Sequence, residues 1–575
     1  MATKSVADLF VQVLAFAGVE RVYGVTGDSL NGITDAIRRE KKIQWIHMRH
    51  EEAAAFAAGA EAHLTGGLAV CAGSCGPGNL HLINGLYDCH RSRVPVLAIA
   101  AQIPSNEIGS GYFQETHPEH LFAQCSHYCE LISRPEHMPR ILEIAIQTAI
   151  SRRGVSVVAI PGDVALLESV EDGPRLHFPP PKPTVCPTDE EIETLAKLLN
   201  KSTNITILAG AGCAGAHSEL VQLAAKLNAP IVHAMRGKEF IEYDNPYDVG
   251  MTGLLGFSSG YRAMMTCDLL LMIGTDFPYQ QFFPKDATIV QIDIRGEQLG
   301  RRTKVDYGFV GDTKTTLLAL LPKLKQNQEK QHLKASLEHY EKARKGLEEL
   351  ATDGGGKKPI HPQYVVRMLD ELAANDAIFT CDVGTPTIWA ARYLTMNGKR
   401  RLLGSFNHGS MANALPQAIG VQVSHPGRQV VSLSGDGGLA MMLGDLLSLR
   451  QLRAPVKIIV FKNESLAFVE LEMKAAGIVD FGTDLQNPNF AKLAEAAGLL
   501  GLTAETPDQV RPMIKQALEH DGPALIEVPV SRLELSMPPT ITFEQAKGFG
   551  LFALKAVLSG HGDEIVDLAK INLLR

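Results

Sequence analysis

No apolar run in this chain of 575 residues approaches the roughly 18 that a membrane-crossing helix requires. The N-terminus Met1-Ala2-Thr3-Lys4 leads into an amphipathic helix and not a signal sequence. A chain that stays in the cytoplasm, or meets the cell membrane as a peripheral protein on its inner face, is the expectation. There is no long basic run, and the net charge is −8, which argues against nucleic acid as the main partner. Cys71/Cys75 and Cys125/Cys129 are each spaced four apart, but neither pair has the second cluster a zinc site needs. The nine cysteines read as reduced core thiols.

What is present is an ordinary α/β composition, 45% hydrophobic and 21% charged. The chain is too long for one core and fits about three domains. Short apolar runs alternate with helical stretches through residues 1–182, again through 183–334, and again through 335–530, leaving a tail, 531–575. That rhythm predicts three doubly wound parallel-sheet domains. The stiff stretch Phe178-Pro179-Pro180-Pro181-Lys182-Pro183 separates the first two. Residues 325–358, dense in Lys, Glu and Gln, read as a solvated helix and flexible linker without chemistry.

In the third unit a buried-strand pattern, Gln429 to Leu433, leads into Ser434-Gly435-Asp436-Gly437-Gly438, and Leu439 to Leu452 has helical spacing. Backbone N–H groups and the helix dipole at such a turn suit a diphosphate, and the aspartate offers a hard oxygen to Mg²⁺. The next strand pattern ends at Lys462-Asn463, so Asn463 lies 463 − 436 = 27 residues past Asp436. Gly-Asp-Gly alone is a common surface turn; the strand, helix, gap and Asn together favour a cofactor clamp. In the first unit His50-Glu51-Glu52 opens a helix of small residues. Glu52 there complements the helix dipole, while a buried Glu51 could hold a proton against a ring nitrogen. Glycine-rich loops, 73–79 and 109–115, lie where ligands sit in parallel sheets. The middle unit carries a literal G-x-G-x-x-G at 210–215, but the next strand is followed by basic Arg236 and Lys238, which leaves the nucleotide open.

Gly-Asp-Gly with Asn 27 residues on is the thiamine diphosphate signature, and the chain is similar nearly end to end to the pyruvate oxidases that use thiamine and flavin. It resembles most their quinone-linked, membrane-associated branch. That resemblance implies Glu51 as the acid protonating the aminopyrimidine, with Phe113, Gln114 and Phe468 lining the substrate pocket. It implies thiamine diphosphate held by Gly409, Ser410, the wedge Met411, Asp436, Gly437, Gly438, Asn463, Glu464, Ser465, Leu466, Ala467, Phe468 and Val469. Mg²⁺ would bind Asp436, Asn463 and the Ser465 carbonyl. FAD would lie along Gly210, Gly212, Thr252, Gly253, Leu254, Leu255, Thr275, Asp276, Phe277, Pro278, Tyr279 and Asp293. Many members have Asn where this chain has Lys462. The implied reaction oxidises pyruvate to acetate and carbon dioxide and passes electrons through FAD to ubiquinone, in a homotetramer. The amphipathic stretch Asp563 to Arg575 would meet a phospholipid surface. An acetohydroxyacid synthase and an oxygen-using, acetyl-phosphate-forming oxidase are the alternatives.

Overall fold

The computed structural model describes residues 4–170, 173, 184–534, 547 and 551–555. It contains three parallel sheets of six strands each, interleaved with helices. The first holds β1–β6 (Arg21–Gly24, Gln44–His47, Ala69–Gly73, Val96–Gln102, Tyr128–Leu131, Val155–Pro161). The second holds β7–β12 (Ile205–Ala209, Ile231–His233, Asp248–Met251, Leu269–Ile273, Thr288–Asp293, Tyr307–Val310). The third holds β13–β18 (Ile378–Cys381, Arg401–Gly404, Val430–Gly435, Lys457–Lys462, Leu500–Thr503, Ala524–Pro529). Central strands such as β4, β6 and β10 are buried at every residue, which is why they read as unbroken apolar runs. In the first two sheets the strands without a recognisable apolar run, β5, β9 and β12, all lie at sheet edges, and β5 and β12 have half-exposed faces.

The first sheet runs β2-β1-β3-β4-β6-β5 and the third β14-β13-β15-β16-β18-β17, the same order twelve strands on. Equivalent helices of the two units, Glu51–Thr65 after β2 and Ala414–Ser424 after β14, pack on each other. They cross so closely that a Cβ on Gly420 would sit 2.1 Å from the Ala57 carbonyl oxygen. Two further joints repeat the symmetry. Ser405 Oγ donates to buried Asp88 at 2.8 Å, and the Arg49 amide donates to buried Asp445 at 3.0 Å.

The middle domain is pinned to both by Glu239, which is buried. Its carboxylate accepts from the Arg401 guanidinium at 2.7 and 3.1 Å and from the Leu402 amide at 3.0 Å, and lies 3.3 Å from His63 Nε2. Burial pushes this carboxyl up, but the bonds from His63 and Arg401 overcome it and hold it down to about 2. A depressed carboxyl contributes stability that is present above its unfolded value and lost as pH falls through the folded one. The wild-type protein should therefore melt higher than Glu239→Gln at neutral pH, and the gap should shrink between about pH 4.5 and 2. Thermal melts of both proteins across that range check this; a gap independent of pH would count against the charged pairing.

Two local expectations are corrected. Helix Gln331–Leu350 is not a free linker: Leu337 and Tyr340 pack on the middle domain, Tyr340 edge-on to Phe257 at 5.8 Å, and Arg344 donates to the Arg392 carbonyl at 2.7 Å. The helix after β15 starts earlier and breaks, as Asp436–Met441 and Leu446–Leu452. The break falls where the Asp445 carboxylate is captured by Ser448 Oγ at 2.7 Å and by Arg49. Such local capture competes with continuous helix. The segment 178–183 and the tail stretch 563–575 lie outside the described residues.

Candidate active site

In open parallel sheets a ligand crevice forms beyond the strands' carboxyl ends where the winding direction reverses. In the third sheet that point lies between β13 and β15, and the residues that follow these strands are Asp382 and Asp436. Asp436 is buried. Its Oδ1 accepts from the Gly437 amide at 2.9 Å, and its Oδ2 from the Glu464 amide at 2.7 Å and Asn487 Nδ2 at 3.0 Å. Burial raises its pKa against those bonds. Glu464 has φ +57°, a left-handed turn that lets its amide face Asp436 while Asn463 Oδ1 accepts from the Ser465 amide at 3.2 Å. Asp436, Asn463 and Ser465 are thus gathered around one turn. Asn487 was not singled out from the sequence, because it comes from a separate loop with no helix or strand signal of its own.

The two glycines of that turn add no side chain of their own and are closely walled by others. A Cβ on Gly437 would meet Leu466 and Leu485 at 3.1 Å and Met411 Cε at 3.5 Å; one on Gly438 would lie 2.4 Å from Asp382 Oδ2. Burial raises Asp382 to about 7, and its Oδ2 has no hydrogen-bond partner among the described residues. A hard carboxylate, backbone amides at a helix start and two bare glycines suit a cation bound to a diphosphate. Lys462 is accounted for by its contacts. Its Nζ donates to Glu527 and to the Pro488 carbonyl, both at 3.2 Å, so it fastens the loop that carries Asn487. Ser465 Oγ bonds Glu470, Glu470 pairs with Lys474, and the Lys474 ammonium lies 5.3 Å from the ring centre of buried Phe552.

Glu51 lies at the first turn of its helix and is buried. His81 Nδ1 is 2.9 Å from its Oε2, and a Cβ on Gly78 would come within 3.0 Å of its Oε1. The His50 ring caps the helix by accepting from the Glu52 amide at 3.2 Å and stacks on His81 with ring centres 4.4 Å apart. Stacked rings aim their lone pairs in parallel, so this trio is poorly shaped for a cation. Glu52 does more than complement a dipole: it accepts from Asn84 Nδ2 at 2.6 Å. Asn84 reaches on to Ser410 Oγ at 2.9 Å, next to Met411. The start of the Glu51 helix and the wedge loop are therefore linked through Asn84 within one chain.

Gln114 has φ +63° and packs on Gly76, with its Oε1 3.3 Å from Cys75 Sγ, which places it beside the 73–79 loop. Phe113 stands 77% exposed. Phe468 leans on the core of the third domain, while Val469 is exposed. Gly409, at φ +83°, has open space where a Cβ would point.

The middle sheet runs β9-β8-β7-β10-β11-β12, the order of dinucleotide-binding domains. Gly210 and Gly212 follow β7 and meet Gly274 and Thr275 across the reversal point; a Cβ on either glycine would fall 2.6 Å from Gly274 atoms. These glycines serve loop-to-loop contact first. Thr252 Oγ1 is buried without a partner among the described residues, and Gly253 has φ +100°. Asp276 pairs with Arg302 at 2.8 Å. Asp293 accepts from the Arg295 amide at 3.0 Å, and burial raises it to about 6. Phe277, followed by Pro278, joins an aromatic cluster with Tyr279, Phe282 and Phe283. Leu254 packs on the middle core, and the Leu255 carbonyl accepts from Arg392 at 3.1 Å. A buried hydroxyl, two acids and an aromatic cluster at the carboxyl ends of the strands of one sheet suit an extended dinucleotide.

Three family models match in chain order: the N-terminal TPP binding domain of thiamine pyrophosphate enzymes over residues 4–121, their central domain over 192–320 and their C-terminal TPP binding domain over 382–528. The chain is 36% identical over 572 residues, 99% of both chains, to YdaP of Bacillus subtilis, described as thiamine pyrophosphate-containing. It is 30% identical to a pyruvate oxidase of Lactiplantibacillus plantarum, over 91% of this chain and 88% of that one. It is also 30% identical to a protein of Methanocaldococcus jannaschii described as an acetolactate synthase large subunit, over 93% of each. Matches of that extent, placed on the Asp436 turn and the Glu51 helix, establish that the chain belongs to the thiamine pyrophosphate enzyme family.

Proposed function

We propose that this protein oxidises pyruvate to acetate and carbon dioxide and passes the electrons through FAD to a membrane quinone such as ubiquinone. When bound, thiamine diphosphate supplies the electron sink for decarboxylation and FAD the two-electron acceptor. The balance is pyruvate plus water to acetate, carbon dioxide, two protons and two electrons. In this reading Asp436, Asn463 and the Ser465 carbonyl hold Mg²⁺, and the Gly437 and Gly438 backbone admits the diphosphate. Met411 sets the bend of the coenzyme. Glu51 holds and returns the proton at its carboxyl oxygens, with the His81 imidazole as its neighbour at 2.9 Å. Phe113, Gln114 and Phe468 shape the keto-acid pocket. FAD lies along the reversal point of the middle sheet, and four copies form the enzyme.

The observation that carries the oxidase over a synthase is the contact of the tail: residues 551–555 are helical, and Phe552 is joined through Lys474 and Glu470 to Ser465 of the metal loop. A tail segment connected to the metal loop through an ion pair suits an enzyme whose turnover is tied to a membrane surface. Among the described residues no helix is long and apolar enough to cross a membrane, so the contact assigned is peripheral, on the inner face of the membrane. The acetolactate synthase relatives favour a second reading, in which the flavin is bound but does not turn over. Anaerobic addition of pyruvate separates the two. Bleaching of a yellow protein with acetate formed supports the oxidase; acetolactate without bleaching supports the synthase. A colourless protein that gains nothing from added FAD removes the flavin.

A further inference from the structure

Helix Pro77–Ser92 of the first domain grips the loop 405–411 of the third along one face. Asn84, Tyr87 and Asp88 lie within about one turn of each other on it. Asp88 accepts from Ser405 Oγ at 2.8 Å, and Ser405 Oγ accepts from the Ser410 amide at 3.0 Å. The Tyr87 ring stacks on His408, with centres 5.5 Å apart. Asn84 uses its whole amide: Nδ2 donates to Glu52 Oε1 at 2.6 Å and to Ser410 Oγ at 2.9 Å, and its Oδ1 lies 2.8 Å from His408 Nε2. The carboxylate of Glu52 can only accept here, which fixes which end of the amide faces it. One side chain thus joins the residue after Glu51 to the residue before Met411.

We propose that Asn84 is a positioning residue, which sets from the first domain the height of the Met411 wedge in the third. The proposal rests on the thiamine reading of Met411 given above. Removing the amide takes one partner from Ser410 Oγ and one from Glu52 together. Ser410 Oγ keeps its bond to the Met411 carbonyl at 2.9 Å, and the loop keeps its grip on the helix through Asp88, the Tyr87–His408 stack and Asn407, which donates to the Arg91 carbonyl at 3.1 Å. Misplacement of a reacting geometry by about 1 Å costs roughly a hundredfold in rate, while the diphosphate clamp at Asp436 is untouched.

The test uses the full-length protein and Asn84→Ala. Without coenzyme, amide hydrogen exchange of the 405–411 peptide should rise in the variant while that of the Ala414–Ser424 helix stays put. With Mg²⁺ and thiamine diphosphate, calorimetric affinity should stay within about threefold, while deuterium exchange at the coenzyme's C2 slows roughly a hundredfold. Ser410→Ala should slow C2 exchange in the same direction, and the two changes should combine less than additively because they share the Asn84–Ser410 contact. Should Asn84→Ala not fold, Asn84→Ser, which is too short to span both partners, carries the same measurements. Unchanged C2 exchange at unchanged affinity, or fully additive single effects, overturns the role of Asn84 and leaves the thiamine reading standing. Failure of the wild-type protein to bind thiamine diphosphate overturns both.

Discussion

Changing Glu51 to glutamine is expected to lower the rate of pyruvate decarboxylation by about 10²–10⁴-fold, the range of a positioned acid or base, while Mg²⁺ and flavin binding persist. Glutamine keeps the shape that fits against Gly78 and still offers an oxygen to His81, both within about 3 Å of the native carboxyl. It cannot hold and release an acid proton. The metal clamp at Asp436 is built from a different domain and should be indifferent to the change. Stopped-flow release of carbon dioxide, together with calorimetric titration of thiamine diphosphate in the presence of Mg²⁺, checks both halves. Full activity in the variant would rule out Glu51 as the proton donor. Loss of coenzyme affinity to the same extent as rate would show that the residue serves binding alone.

The largest expected effect on stability comes from Gly420→Ala. Within a helix, alanine is favoured over glycine by about 1 kcal/mol, so propensity alone predicts a gain. Packing reverses the sign. The new Cβ would lie 2.1 Å from the Ala57 carbonyl oxygen and 2.7 Å from the Ala57 Cα, and both are backbone of the facing helix. Neither can swing aside, so the two helices must separate along the joint between the first and third domains. Overpacking of a rigid core costs about 1–3 kcal/mol and occasionally more, and the net is a lowered melting point, by several degrees. Gly346→Ala is the control: it lies in helix Gln331–Leu350 with nothing within 4 Å of a Cβ, and it should melt at or above the parent. Equal melting points for Gly420→Ala and the parent would mean that the joint yields.

The chemistry of single segments was legible in the sequence to the extent that it is local. Asp436 follows a buried strand and opens a helix, and Glu51 begins a helix of small residues, because apolar runs and glycine turns act over a few neighbours. The missed strands β5, β9 and β12 lie at edges: β5 and β12 are half-exposed, and β9 is buried but only four residues long, with Asp248 and Gly250 breaking its apolar run, so the apolar signal is thin in all three. Glu52 was read as a dipole complement because its partner Asn84 lies 32 residues away. Asn487 and the role of Lys462 were invisible for the same reason: both act through contacts with residues of other segments.

By itself the sequence determined the three parallel α/β units, the glycine turns and the acid types placed in them, since these follow from periodicity and from what each residue can donate or accept. Only the tertiary structure decided that the first and third units share one strand order, that Gly420 lets their helices meet at the backbone, and that Glu239 locks the middle unit to both. Those outcomes depend on contacts between residues far apart along the chain, such as Ala57 with Gly420 and Glu239 with Arg401. A pattern of neighbours carries no information about which distant surface will close over it.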